Sequence, residues 1–176
     1  MSTKTLILGG IKSGKSRYAE ILASQWNGRI NLIATATAND GEMSARIERH
    51  KSDRNPRFKV IEEPIYLGEA IAQHAASDCI VVDCLTLWIT NLLMMSESKT
   101  LMASERANFI ESVKISRSRI LFVSNESNMG IIPFGELSRR YCDEIGSMHQ
   151  ELASICDEVY LMVAGIPLQV SPSKAL

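Results

Sequence analysis

The stretch Gly9-Gly10-Ile11-Lys12-Ser13-Gly14-Lys15-Ser16 decides the fold of this chain, because it fits the pattern G-x-x-x-x-G-K-[ST]. Glycines let the backbone turn so that successive N–H groups point inward at phosphate oxygens. A helix that follows such a loop offers its positive end to the same anion. In this pattern Lys15 bridges β- and γ-phosphates, and the Ser16 hydroxyl ligates Mg²⁺. The stretch therefore predicts a phosphate loop that binds a nucleoside triphosphate with Mg²⁺.

The segments on either side of this loop have the periodicity that it requires. Residues 4–9 form a short apolar run that ends in glycine and predicts a buried parallel strand. Residues 15–26 place Tyr18, Leu22 and Trp26 on one helical face. The alternative is a chance match to the pattern, on the order of one in a hundred at ordinary composition. The strand before the loop and the helix after it favour the functional interpretation.

Strands and helices alternate along the rest of the chain. Further strands are predicted at 30–36, 58–61, 79–83, 120–124 and 158–163, and a polar, helix-favouring stretch at 42–51. Further helices are predicted at 65–76, 85–95, 104–117 and 135–156, with a loop at 125–133 and a tail at 165–168. This order predicts an open α/β fold, mostly parallel and wound on both faces. We expect the strand-end segments 9–16, 34–37, 83 and 125–130 to line one crevice.

The last predicted helix carries an apolar stripe. Its members recur at steps of four and three, which is the spacing of one helix face. They are Leu137, Tyr141, Ile145, Met148, Leu152 and Ile155.

Length and composition indicate an ordinary globular chain. Its 176 residues suit one domain, which we expect to span 1–176. Apolar residues make up 45% and charged residues 22% of the chain, so disorder is not the default. A net charge of −1 gives no basic surface for a polyanion, and nucleic acid is not an expected partner.

Targeting and redox features favour a cytoplasmic protein. The most apolar stretch, residues 84–95, is shorter than a membrane span and includes Thr86 and Asn91. The first residues lead directly into the first strand, so we expect no signal peptide. None of the four cysteines forms a C-x-x-C pair. Reduced thiols are the favoured interpretation, with a zinc site or disulfides as the alternative.

A carboxylate follows the apolar run at 79–82. Asp83 stands at the strand end, where a Walker B carboxylate reaches the Mg²⁺ shell. The alternative is that Asp83 caps the helix predicted to begin near Leu85. Because the chain also contains the phosphate loop, we favour the metal role, which Asp83 would share with Ser16.

His50 lies in the basic segment 42–54. On a helix it shares a face with Arg46, and Arg49, Lys51 and Arg54 add to a field that attracts phosphate. A neutral imidazole in that field can attack the α-phosphorus of a bound triphosphate and expel pyrophosphate. From spacing alone, however, a solvated helix with an ordinary histidine is the favoured interpretation.

The phosphate loop alone does not identify the reaction. The sequence contains no N-K-x-D guanine signature, and the chain is small and has no obvious effector region. These features favour a small-molecule transferase over a motor. Two alternatives are a P-loop small-molecule kinase without a covalent step and a regulatory ATPase in which hydrolysis only switches shape. Neither alternative needs His50.

The order of several motifs resembles one known family. The loop G-G-I-K-S-G-K-S-R-Y-A-E (9–20) precedes I-A-T-A (33–36) and E-M-S-A-R-I-E-R-H-K-S-D-R (42–54). Then come E-E-P (62–64), D-C-L-T-L-W-I-T-N-L-L (83–93), S-N-E-S-N-M-G-I-I-P (124–133), D-E-I-G (143–146) and D-E-V-Y-L-M-V-A-G-I-P-L (157–168). In this order they resemble the bifunctional adenosylcobinamide kinase / adenosylcobinamide-phosphate guanylyltransferase family of cobalamin biosynthesis, over nearly the whole chain. We therefore predict a P-loop NTPase-like three-layer α/β fold, RecA-like, with a mostly parallel central sheet.

The resemblance implies two reactions in one protein. ATP or GTP first phosphorylates the aminopropanol hydroxyl of adenosylcobinamide. GTP then guanylylates a histidine, and adenosylcobinamide phosphate takes the GMP to give adenosyl-GDP-cobinamide. The histidine of the family's R-I-x-x-H motif corresponds to His50, so the resemblance overrides the ordinary interpretation of that residue. It also implies a small homo-oligomer, and we expect a trimer.

The resemblance also assigns site residues by position. It makes His50 and Lys15 catalytic, and Ser16 and Asp83 the metal ligands. The implied nucleotide contacts are residues 9–16, Ala34, Thr35, Ala36, Lys51, Ser52, Asp53, Arg54, Glu62 and Asp83.

Some positions depart from the family pattern. Lys12 stands where arginine is usual, Phe58 where tryptophan is usual, and Ser127-Asn128 where Val-Gly is usual. Cys142 occupies a place where arginine is common, and His149 one where asparagine is common. An arginine lost at 142 removes a potential phosphate ligand, for which Arg139 and Arg140 are candidate substitutes. These departures concern substrate contacts rather than the histidine chemistry.

Other residues have two interpretations each. Glu126 either orients the attacking hydroxyl or binds the corrinoid, or else it caps its loop. The four residues Met94, Met95, Met102 and Met129 either face the corrinoid or fill a core or interface, which we favour. We expect Trp88 to pack in the core.

Overall fold

The structure is a computed structural model that describes residues 2–37, 57–96 and 98–171. Its strands are β1 (Lys4–Gly9), β2 (Ile30–Ala34), β3 (Phe58–Glu62), β4 (Cys79–Asp83), β5 (Arg119–Val123), β6 (Glu158–Val163) and β7 (Ile166–Ser171). Its helices are α1 (Lys15–Ser24), α2 (Leu67–Gln73), α3 (Leu85–Leu93), α4 (Ser98–Ile115) and α5 (Glu136–Ile155). The predicted helix-favouring stretch at 42–51 lies outside the described residues.

The described strands form one sheet with the order β3-β2-β4-β5-β1-β6-β7. Every neighbouring pair is parallel except β6 and β7, which are antiparallel. The predicted mostly parallel α/β fold is confirmed. β1 lies between β5 and β6, and β4 lies on the far side of β5. The carboxyl ends of β1, β2, β4 and β5 therefore meet at one edge of the sheet.

Alternation along the strands divides the core into two layers. Leu6, Ile80 and Phe122 point to the face covered by α2, α3, α4 and α5. Ile7 and Val81 point to the opposite face, where α1 packs. Strands covered on both faces read as continuous apolar runs. For this reason the buried strands β1 and β4 have the bounds that the sequence predicted, and the partly buried strand β6 matches its predicted bounds as well.

Trp88 packs in the core as predicted. Its side chain is fully buried on α3, and its ring centroid lies 5.1 Å from that of Phe109 on α4. The indole Nε1–H donates to the carbonyl oxygen of Ile65 at 2.7 Å, so the polar end of the ring is satisfied as well.

Several predicted bounds differ from the structure by one to three residues, and two predictions differ more. The helix expected at 104–117 begins at Ser98, and the tail expected at 165–168 is the strand β7. β7 turns back on β6 through Ala164 and Gly165, whose φ values of 50° and 83° are those of a tight two-residue hairpin. Pro167 lies on the outermost strand, where its missing N–H costs no ladder bond. No helix in the described part of the chain is long and apolar enough to cross a membrane.

Candidate active site

The phosphate loop connects β1 to α1, and two of its glycines are required for different structural reasons. Gly9 has φ 150°, and a Cβ there would lie 2.6 Å from the carbonyl oxygen of Met162. Gly14, with φ 96°, is the N-cap of α1. The Gly165 N–H donates to the Ser13 carbonyl at 2.9 Å, so the β6–β7 turn supports the loop from behind. The backbone is thereby held in the curled form that an anion site needs.

Lys15 is the first residue of α1, and its side chain is buried. Its Nζ donates to the carbonyl oxygens of Gly9 and Gly10 at 3.0 and 2.7 Å, so the ammonium lies across the start of the loop. The hydroxyl of Ser13 is also buried, and it has no hydrogen-bond partner among the described residues. A helix N-terminus, an ammonium and an unpaired hydroxyl together form a site suited to phosphate oxygens.

The ends of β2 and β4 are joined by Thr35. The Thr35 N–H donates to the Asp83 carbonyl at 3.1 Å. Its hydroxyl donates to the Cys84 carbonyl at 2.6 Å and accepts from the Cys84 N–H at 3.0 Å. In the sheet register, Ala34 lies between Glu62 on β3 and Asp83 on β4. The predicted contacts at 34–35, 62 and 83 are thus neighbours at one edge.

Asp83 does not cap the helix that follows it. The N-cap residue of α3 is Cys84, and no side chain caps this helix. Burial, together with the smaller effect of the Asp83 carboxylate, raises the pKa of the Cys84 thiol to about 11, and the Lys15 charge opposes this rise. Asp83 and Lys15 thus both act electrostatically on the thiol that follows β4. Strands two positions apart in a sheet lie about 10 Å from each other, which is the separation of β1 and β4.

The donor set at this edge fits Mg²⁺ in a phosphate loop. Mg²⁺ prefers oxygen ligands, and in such loops it takes one hydroxyl and one carboxylate from the protein, with the rest from phosphates and water. Ser16 and Asp83 are oxygen ligands of these two kinds. In the described ranges no group of three or more His, Cys, Asp or Glu side chains forms an all-protein metal cage.

A buried polar chain links β5 to α5, and sequence reasoning did not find it. His149 Nε2 lies 2.8 Å from Ser124 Oγ, and Ser124 Oγ lies 3.4 Å from Thr86 Oγ1. The Asn125 N–H donates to Thr86 Oγ1 at 2.7 Å. Burial lowers the pKa of His149, and the nearby Glu126 partly offsets this effect. The neutral imidazole therefore anchors the residues at the end of β5.

The loop at 124–135 is fixed to the phosphate loop at one end. The Glu126 N–H donates to the Gly9 carbonyl at 3.0 Å. The Glu126 carboxylate accepts from the Asn128 N–H at 2.8 Å, which favours the loop-capping interpretation of this residue. With Thr35 joining β2 to β4, these bonds bring the strand-end segments into one crevice, as predicted.

Two departures from the family pattern contact each other between the loop at 124–135 and α5. Asn128 Nδ2 donates to the Cys142 carbonyl at 2.9 Å. A Cβ on Gly146 would lie 2.6 Å from that nitrogen, so the glycine makes room for the contact. The amide at 128 thus supports the loop through a helix carbonyl.

Several predicted residues need separate mention. Of the four methionines weighed above, only Met102 is buried in the core, whereas Met94, Met95 and Met129 are exposed. The candidate nucleophile His50 and the nucleotide contacts at 51–54 lie outside the described residues, whereas the whole phosphate loop lies within them.

A phosphate loop after a central parallel strand, with a strand-end carboxylate two strands away, defines a P-loop α/β nucleotide-binding protein. Solved structures agree on the fold. A KaiC-like protein from Pyrococcus horikoshii superimposes with a TM-score of 0.51 at 13% identity, over 91% of this chain and 70% of that one. An ATPase from the type III secretion system of pathogenic bacteria gives a TM-score of 0.51 at 10% identity, over 92% and 51%.

Sequence comparison then identifies the family. The family model described as "Cobinamide kinase / cobinamide phosphate guanyltransferase" matches residues 5–170. The bifunctional adenosylcobalamin biosynthesis protein CobP of Pseudomonas aeruginosa is 46% identical over 166 residues, 94% of this chain and 95% of that protein. CobU of Salmonella typhimurium, with the same description, is 35% identical over 178 residues, 94% and 98%. The chain belongs to the cobinamide kinase / cobinamide phosphate guanyltransferase family, and the predicted family is confirmed.

Proposed function

We propose that this chain is a bifunctional transferase of cobalamin biosynthesis. It phosphorylates adenosylcobinamide with ATP or GTP, and it then transfers GMP from GTP to adenosylcobinamide phosphate. The observation that carries the proposal is the family match over residues 5–170, on a chain whose phosphate loop is folded around a buried lysine. We further propose that residues 1–176 act as one domain in the cytoplasm.

Phosphoryl transfer uses the residues around the phosphate loop. The aminopropanol oxygen of adenosylcobinamide bonds to the γ-phosphorus, while the bond from that phosphorus to the β–γ bridging oxygen breaks and the hydroxyl proton passes to solvent. Lys15 and the loop amides offset the charge on the phosphate oxygens, so positioning and electrostatics lower the barrier. Ser16 and Asp83 would hold Mg²⁺, which would supply positive charge beside the β- and γ-phosphates.

Guanylyl transfer requires a nucleophile on the enzyme, and we assign it to His50. An imidazole nitrogen bonds to the α-phosphorus of GTP, and the bond from that phosphorus to the α–β bridging oxygen breaks, releasing pyrophosphate. A phosphate oxygen of adenosylcobinamide phosphate then bonds to the same phosphorus, and the phosphorus–nitrogen bond breaks. The covalent step divides one difficult transfer into two easier ones. The products are adenosyl-GDP-cobinamide and free imidazole.

A single variant separates the two reactions. His50→Ala should abolish GMP labelling and formation of GDP-cobinamide, while phosphorylation of cobinamide survives at least in part, because phosphoryl transfer needs no enzyme nucleophile. The assay uses α-labelled GTP without corrinoid, and the adduct should be acid-labile and alkali-stable. His74→Ala, which also removes one imidazole, is the matched control and should label like wild type.

The outcomes also separate the alternatives. If His50→Ala takes up label at the wild-type level, His50 is not the nucleophile. If the wild-type protein phosphorylates cobinamide but never becomes labelled, the chain is a kinase without a covalent step. Nucleotide hydrolysis without either transfer would indicate a regulatory ATPase instead.

A homo-oligomer, expected to be a trimer, is part of the proposal. Ile166, Leu168 and Val170 alternate along the edge strand β7 and leave their apolar side chains exposed on one face. Exposed apolar residues grouped in this way are typical of protein contacts. Sedimentation analysis of the full chain measures the assembly directly.

A further inference from the structure

An apolar groove of about 380 Å³ lies between the C-terminal part of α3 and the N-terminal part of α5. The apolar stripe of α5 explains it: Ile145 and Met148 are in the core, but Leu137, two turns earlier, is 51% exposed. The stripe therefore continues beyond the core and forms one wall. The groove is lined mainly by Thr90, Leu93, Met94, Leu137, Tyr141 and Cys142.

Hydrogen bonds connect this groove to the end of β4. The Tyr141 hydroxyl lies 3.3 Å from Ser127 Oγ, in the loop that follows β5. The Thr90 hydroxyl donates to the Thr86 carbonyl at 2.9 Å, one helical turn away. At 1.5 Å per residue, Leu93 lies about 10 Å along α3 from Thr86. The groove thus begins beside the strand ends of the crevice and runs away from them.

The loop at 124–135 also connects the strand-end crevice to the groove. Near its start Glu126 is bonded to the phosphate loop, and near its end the carbonyl of Pro133 accepts from Arg139 Nη1 at 3.1 Å. Between these points it exposes apolar side chains, including Ile131 at 89%, and Phe134 beyond them at 97%. A cluster of large apolar side chains this exposed marks a surface that binds something.

We propose that this groove, with the apolar loop beside it, binds the corrin ring of the cobinamide substrate. The proposal rests on the proposed function and adds the location of the ring. A corrin presents methyl groups and a broad macrocycle surrounded by amide side chains, and the groove offers apolar walls with the hydroxyls of Thr90 and Tyr141 as hydrogen-bond partners for such amides. The aminopropanol hydroxyl is carried on a flexible amide arm. That arm can extend along α3 to the crevice while the ring stays in the groove.

The nucleotide is a poor occupant for this groove. Triphosphates need backbone amides and cations, which the phosphate loop supplies, whereas the groove lining contains no charged side chain. A corrinoid instead needs an uncharged surface with apolar walls. Separate surfaces of opposite chemistry, joined by one loop, suit a reaction between a charged nucleotide and a large macrocycle.

The test compares two arginine substitutions on exposed apolar residues. Leu137→Arg places a charge in the groove. Ile115→Arg is the control: it places the same charge outside the groove, at the end of α4, where Ile115 is 66% exposed. Leu137→Arg should raise both KM for cobinamide and its Kd in equilibrium dialysis without nucleotide by roughly tenfold or more. GMP labelling from GTP alone should stay at the wild-type level in both variants, which also reports correct folding. Tyr141→Phe, which keeps the ring and removes the hydroxyl, should give a smaller rise in KM.

Each result decides between the proposals. If wild type phosphorylates cobinamide but Leu137→Arg and Tyr141→Phe keep its KM and Kd, the groove proposal is overturned while the function stands. If wild type neither binds nor phosphorylates cobinamide, the proposed function fails first. If Leu137→Arg lowers the sedimenting mass without changing the Kd for cobinamide, the groove holds a second copy of the chain, and the corrin proposal is overturned.

Discussion

β1 and β5 are neighbours in the sheet and end at the same edge, yet the loops that follow them are built differently. After β1 the chain turns within the phosphate loop and enters α1 at Lys15, with its shape set by backbone bonds and two glycines. After β5 the loop at 124–135 is longer and exposes apolar side chains, and Asn128 and Arg139 hold it to α5. The functional groups of the first loop are consecutive residues of the chain. The second loop is instead held by side chains from three places in the fold, which are α3, the end of β5 and α5.

The most severe test of this comparison removes the cation of the first loop. Lys15→Ala should reduce both transfers by ~10²-fold or more, because charge-assisted contacts to phosphate are worth a few kcal/mol each. Steady-state rates of cobinamide phosphorylation and GMP labelling measure the loss, and circular dichroism should show an intact fold. Lys114→Ala, which removes an exposed lysine on α4, should change neither rate. Normal turnover in a folded Lys15→Ala protein would show that the phosphate loop is not the site.

A smaller effect is expected where β4 reaches the crevice between these two loops. Asp83→Asn keeps the size of the side chain and removes its charge. The Mg²⁺ concentration that gives half-maximal phosphorylation should therefore rise by roughly tenfold or more. Asp78→Asn is the matched control, because Asp78 precedes the same strand and bonds to the Arg29 N–H at the opposite edge. An Mg²⁺ titration of Asp83→Asn that overlays wild type would exclude Asp83 as a ligand.

The smallest effect concerns the support of the second loop by His149. Burial lowers the pKa of His149 in the native state below its ordinary 6.5, despite the opposing charge of Glu126. The unfolded chain therefore binds more protons than the native chain as the pH falls through 6.5, and the free energy of unfolding decreases there. His149→Asn should make the free energy of unfolding less dependent on pH. Above pH 6.5 it should lower that free energy by about 1 kcal/mol, because the bond to Ser124 is weakened.

Urea unfolding on both sides of pH 6.5 measures the effect. His74→Asn, the matched control, should keep the wild-type pH dependence. If His149→Asn also keeps it, then protonation of His149 does not couple to folding, and the second loop is supported by other bonds.

The first loop could be predicted from sequence because its causes are local. A run of apolar residues, glycines at fixed spacing and an amphipathic helix act over neighbouring positions, so β1 and α1 begin where they were expected. Both ends of β4 were also predicted, since an apolar run buried on both faces leaves little choice of bounds. The family resemblance added the substrates, which no spacing in the chain encodes.

A loop was predicted at 125–133, but the contacts that support it could not be predicted because they join residues distant in sequence. Thr86, Ser124 and His149 stand on three elements, and only the packed fold brings their polar atoms within bonding distance. β7 was missed for a related reason: it is an edge strand with exposed side chains, so it lacks the buried pattern of its neighbours. The early start of α4 follows from tertiary packing, because Met102 is buried before the predicted first residue.

The position of β1 in the sheet has a consequence for how the chain acquires its activity during translation. Its two partners are β5 and β6, which are made long after it. At ~5–20 residues per second, the ribosome needs roughly 8 to 30 seconds to proceed from Gly9 to the end of β6. Until β6 is made, the phosphate loop lacks one of the two strands beside β1, and it also lacks the Gly165 turn that supports it. We therefore expect a growing chain to bind a nucleotide only after β6 and this turn have been synthesised, although the phosphate loop itself is made much earlier.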